Sequence, residues 1–227
     1  MNENKSVILE SEINQAQYDP HRLIFHMSLG GVLICCVGIF FAVLALTQKI
    51  GWQIFFIHVD VLGDYLISPL AYVYNICLLL AGACFMLAMF GLYLLRYNRF
   101  SLILSLSGGV TGFFTSMLGI YPYNDTLAHH IAVVLFVCST LVMFCLIVFC
   151  KIKYAKLCPK FLWIVSVIGI IVSTFYLIKL NPNQVINHIC PAPDFCQLAS
   201  LAGLHTLLTL FGGIGLAMLA KNLLKQN

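Results

Sequence analysis

Six long, nearly uncharged apolar runs decide what this chain can fold into. They cover residues 23–48, 70–95, 101–121, 130–150, 161–178 and 197–220. A hydrocarbon core about 30 Å thick needs roughly 20 predominantly apolar residues per spanning helix, with a range of about 17–25. Each run has about that length. Lipid offers the backbone no hydrogen-bond partner, so only helices and closed barrels can span it. A barrel strand would alternate apolar and polar over about ten residues, whereas these runs are continuous. The chain is 61% hydrophobic and 9% charged, and a soluble domain carries about 25% charged residues. A single water-facing core could not bury that surplus. The expectation is an all-α, polytopic transmembrane six-helix bundle. A polar N-terminal tail (1–22) precedes the transmembrane domain (23–220), and a short C-terminal tail (221–227) follows it. The first 22 residues show no short apolar stretch with a small-residue cleavage site, so the first run is expected to be retained as a helix.

Charge gives the orientation. Ten of the twelve Lys and Arg residues fall in the two termini and in the second and fourth loops. The positive-inside rule assigns that side to the cytoplasm. Both termini are then cytoplasmic, which an even number of spans requires, and the expected location is a cell membrane. The excess of basic residues reflects this topology and implies no nucleic-acid partner. The four acidic residues after the tail, Asp60, Asp64, Asp125 and Asp194, fall on the opposite, outer side.

Seven of the ten cysteines lie within the runs, where Cys behaves as a small buried apolar residue. Cys190 and Cys196 share the fifth loop, on the outer side, flanking Pro191 and Pro193. Oxidising conditions there favour a disulfide between them; two unpaired thiols are the alternative.

In lipid, helices associate through small residues that allow close approach. Ser101, Ser105, Gly108, Gly112, Ser116 and Gly119 form one stripe on the third run, and Ala199, Gly203, Thr206, Gly213 and Ala217 form another on the sixth. These stripes place helices three and six at the centre of the bundle. The first loop, 51–69, is apolar but carries His58, Asp60, Gly63 and Asp64. It reads as an interfacial or partly re-entrant segment over the outer mouth.

The same outer end gathers most of the chain's ionisable chemistry. His58, His129, His130 and His188 join the four aspartates there. His205 lies eight residues into the sixth run, roughly 12 Å deep at 1.5 Å per residue. An ionisable group at such depth is a functional candidate. The candidate outer polar site is Asp60, Asp64, Ser68, Asn75, Asp125, His129, His130 and His205. Three uses compete. The groups can cap helices and bond one another, and Asp125 suits a helix N-terminus. They can hold a metal such as zinc, although no His-x-x-x-His pair shares a helix face. They can line a proton or solute path. Haem between His130 and His205 is disfavoured, since only one such pair is visible. There is no phosphate-binding loop, nucleophile elbow or dinucleotide fingerprint.

The stretch His58-Val-Asp-Val-Leu-Gly, Ser68-Pro69, then Tyr74-Asn75, then Gly119-Ile-Tyr-Pro, Asp125 and His129-His130 resembles the six-helix membrane family called domain of unknown function nine-nine-eight. More distantly it is similar to the DRAM, Sfk and Frag proteins. The resemblance covers about residues 55–150 and departs at Tyr74, where the family has Phe, and at the extra Val61. It implies the six-helix topology and, through the distant relatives, a role in handling membrane lipid; it implies no settled activity.

Three functions follow as expectations: a non-enzymatic protein that binds or organises membrane lipid, a metal-dependent hydrolase of a lipid head group, and a small-solute or proton-coupled transporter. Membrane lipids are the expected partners in all but the last.

Overall fold

The computed structural model describes residues 19–180 and 193–225. Cys190 and the side chain of Cys196 lie outside the described residues. The eight cysteines described are free. Within these bounds the chain is all-helical. Six helices follow one another: α1 (Pro20–Ile50), α2 (Ala71–Leu95), α3 (Arg99–Ile120), α4 (Thr126–Lys153), α5 (Lys160–Lys179) and α6 (Pro193–Leu224). Two short 3-10 turns, Gly51–Phe56 and Val59–Gly63, lie between α1 and α2. All six helices are long and apolar enough to cross a membrane. Leu33, Phe40, Leu106 and Ile171 are among the large apolar side chains left on the outside, where a water-soluble bundle would carry charge.

The helix ends follow from local chemistry. α1 begins before its apolar run because Asp19 accepts a hydrogen bond from the His21 amide at 2.9 Å, and Pro20 supplies a helical φ without needing an acceptor. α1 stops at Gly51, whose φ of 64° suits only glycine without strain. α3 opens on a capping box: the Asn98 side chain accepts from the Ser101 amide at 2.7 Å, and the Ser101 hydroxyl accepts from the Asn98 amide at 3.2 Å.

Each helix packs on its neighbours in sequence, and α6 returns to pack on α1. The bundle is therefore a closed ring. Among the described residues helices α3 and α6 are not a packed pair of this ring, which corrects the expectation that they form its centre. The small stripe of α3 faces α2 instead. A Cβ on Gly112 would lie 2.9 Å from the Gly82 carbonyl oxygen, and one on Gly119 would run into the backbone of Asn75 and Leu79. The Ser116 hydroxyl donates to the Leu79 carbonyl at 3.2 Å. The stripe brings two backbones together at one seam, as small residues do in lipid.

The ring has two distinct ends. At one, the α1–α2 loop is tied to the α3–α4 loop: Asn124 donates to Asp64 Oδ1 at 2.7 Å and accepts from the Tyr65 amide at 2.8 Å. At the other, Asn222 of α6 donates to the Leu157 carbonyl at 3.2 Å, and the Lys221 ammonium sits 4.7 Å from the centre of the Phe25 ring.

Candidate functional site

The α1–α2 loop folds over one end of the ring and is held there by polar clamps. The Asn75 side chain, on the first turns of α2, donates to the Gly63 carbonyl at 3.1 Å. A Cβ on Gly63 would collide with the same amide, so glycine is what lets the loop come this close. Asp64, 1% exposed, accepts from the Leu66 amide at 2.8 Å as well as from Asn124. Val61 and Leu62 are buried beneath the turn. Asp64 and Asn75, both expected in the site, therefore hold the loop. Ser68 is buried at the end of the loop. Asp125 is exposed and caps α4, accepting from the Ala128 amide at 3.4 Å.

The clamped 3-10 turn aims Asp60 inward, where its side chain is 14% exposed. Two imidazoles converge on one of its oxygens. His58 Nδ1 is 3.2 Å from Asp60 Oδ2, and His129 Nε2 is 3.4 Å from the same atom. The second contact is an ion-pair distance, off the line of a full hydrogen bond. His58 Nδ1 is also 3.4 Å from the Asp60 amide; the shorter approach to Oδ2 favours the tautomer with hydrogen on Nδ1. His58 Nε2 then accepts from the Tyr176 hydroxyl at 3.2 Å. His129 is fixed from its other side, with Nδ1 2.8 Å from the Tyr121 carbonyl oxygen. A carbonyl only accepts, so Nδ1 carries a hydrogen and Nε2 is the atom turned to Asp60.

Burial alone would raise the Asp60 carboxyl, but His58 and then His129 outweigh it, and the group is held well below the usual carboxylate range. Tyr123, whose ring meets His129 edge-on at 5.5 Å, has its phenol pushed well up by burial and then by the charges of Asp60 and Asp64.

Asp60 also lines a cavity of about 120 Å³ inside the ring. Tyr74, Tyr176 and His205 join it at that end, and Phe85, Phe144 and Gly213 lie at the far end. The lining runs from Tyr74 to Phe85 on α2, from Val133 to Phe144 on α4 and from Ala202 to Gly213 on α6. Each stretch is twelve residues long, eleven rises of 1.5 Å, so the cavity extends about 16 Å along the axis. That is about half of a hydrocarbon core roughly 30 Å thick. The walls are mostly apolar, with Thr111, Thr115, Thr140, Thr206 and Thr209 among them. The hydroxyls of Thr111, Thr140 and Thr206 donate back to their own helices.

His205 is 1% exposed, and among the described residues its Nε2 has no partner. Its ring stands edge-on to Phe136 at 5.4 Å and beside Tyr176 at 5.9 Å. Beyond the Asp60 cluster, His58, His129 and His130 line a second crevice of about 10 Å³, the room of one water.

Of the eight residues expected in the site, the structure brings Asp60 and His205 to the head of the cavity and sets His129, against Asp60, and His130 at the adjoining crevice. Tyr176 escaped the sequence reading, because a tyrosine inside an apolar run looks like an interface anchor, and Tyr74 entered it only as a departure from the resembled family. His58 was legible only as one outer histidine among several; its signal was its place two residues before Asp60. Among the described residues no group of three His, Cys, Asp or Glu side chains could hold a metal ion. No family model, curated protein or solved structure matches the chain.

Proposed function

We propose that this protein binds a membrane amphiphile, with the hydrocarbon chain inside the ring and the polar end at Asp60 and His205. One observation carries this reading: an apolar cavity about as long as one leaflet of the hydrocarbon core ends at a buried carboxylate and an unpartnered imidazole. An apolar chain gains roughly 0.8 kcal/mol per buried methylene when it leaves water, but nothing comparable when it leaves lipid. Selectivity must then come from the polar end, where an unsatisfied buried group costs about 1–3 kcal/mol. The sequence bias of Lys and Arg supports a cell-membrane location with both termini in the cytoplasm and the polar cluster near the outer surface. The resemblance to the domain of unknown function nine-nine-eight family belongs to the same proposal.

The test is photocrosslinking. A photoactivatable fatty-acyl lipid is incubated with the purified protein and the adducts are mapped by mass spectrometry. Adducts on the cavity residues of α2, α4 and α6 are expected. Adducts confined to outward side chains such as Leu33 and Phe40 would refute the reading.

A further inference from the structure

We infer that the polar end of the ligand is an uncharged hydroxyl group, as in a long-chain alcohol or a monoacylglycerol. This rests on the cavity being an amphiphile site and names the chemistry that the site selects. Both imidazoles engage the same oxygen of Asp60, Oδ2. Asp60 lines the cavity, and a carboxylate oxygen only accepts. Among the described residues His205 Nε2 is buried beside the same end with no partner. With its hydrogen on Nε2, His205 donates to a hydroxyl that in turn donates to Asp60, so one hydroxyl satisfies both groups.

Charged heads fit worse. Among the described residues no Lys or Arg lines the cavity, so a phosphate or carboxylate would meet Asp60 without the cation that such anions need. When Nε2 carries the hydrogen, an ammonium head can donate to Asp60 but cannot accept from His205.

The experiment uses the full chain, purified and delipidated in detergent, with four probes sharing one chain: oleyl alcohol, 1-oleoylglycerol, oleate and oleylamine. Affinities are read by native mass spectrometry and checked by ligand-induced thermal shift. The two hydroxyl probes should bind about tenfold or more tightly than oleate and oleylamine, one good hydrogen bond being worth about that factor. Asp60→Asn should narrow the gap between oleyl alcohol and oleate, because the repelling charge is gone. Oleate or oleylamine binding the wild-type protein as tightly as oleyl alcohol overturns the hydroxyl assignment and leaves the cavity reading standing. If none of the four binds saturably, the cavity reading fails first. The ranking on wild-type protein decides the matter even if Asp60→Asn does not fold.

Discussion

Replacing Asp60 by Asn keeps the shape of the side chain and removes its charge. Two contacts change, at 3.2 and 3.4 Å. A hydrogen bond to a charged group contributes about 1.5–3 kcal/mol, and short ones fall near 2.7–2.9 Å. Both distances are longer, and the His129 contact is off the line of a full hydrogen bond, so the lower figure, about 1.5 kcal/mol, applies to His58 alone. The His129 side chain is 5% exposed, and losing one partner of a buried pair costs about 3–5 kcal/mol. Both figures draw on the loss of one carboxylate charge, so they do not add; about 3–4 kcal/mol is the expectation. For a chain of this size each kcal/mol moves Tm by about 2–4 °C, which gives a drop of roughly 10 °C in detergent. The pH dependence has a sign. Asp60 is depressed in the folded state, so its contribution is full above the unfolded carboxyl value of about 3.9 and fades as pH falls through the lower folded value. On the acid side the gap between wild type and Asp60→Asn should hold down to about pH 4 and close only below it. The assay is thermal unfolding across that range, read by tryptophan fluorescence. A gap under about 1 kcal/mol at neutral pH, or one that closes between about pH 6 and 5, would refute the charge assignment.

Three further outcomes are expected. Asn124→Ala removes both ties between the outer loops and leaves Asp64 with one partner fewer; Tm should fall by the equivalent of about 1–3 kcal/mol, and proteolysis should reach the α1–α2 loop sooner. Gly119→Ala drives a methyl into the α2 backbone and should destabilise by about 1–3 kcal/mol, whereas Gly109→Ala, with nothing within 4 Å, should be neutral or better because alanine favours helix by up to about 1 kcal/mol; equal Tm values for the two variants would sink the seam. With the native cysteines replaced, a cysteine at Trp52 should react with an impermeant maleimide on intact cells and one at Lys156 should not, and labelling of both would remove the six-span topology.

The apolar runs were enough to read the number of helices, because lipid leaves a spanning backbone few choices. Their ends were less legible. α1 starts at Pro20 and α6 continues to Leu224 because caps and polar final turns extend a helix beyond its apolar stretch. The stripe on α3 announced a close partner but not which one, since small residues mark an approach and carry no address. Within the site, Asp60, His129 and His205 were legible because an ionisable group near or within a span is rare enough to notice. Tyr176 was not: it meets His58 across 118 residues of sequence, and no periodicity records such a pairing. Asp125 looked equally promising in sequence, yet the N-terminus of α4 uses it locally.

The return of α6 to α1 fixes an order of assembly. Synthesis runs from the first helix to the last, so every member of the Asp60 cluster, from His58 to Tyr176, has been made while one stave of the barrel is still missing. Until that stave arrives, the interior is a trough open sideways to the bilayer. A truncated chain ending before α6 would keep Asp60, both of its imidazoles and Tyr176, but would have no closed chamber and no His205. Recognition at the rim and enclosure of the chain are thus written in separable stretches of the polypeptide.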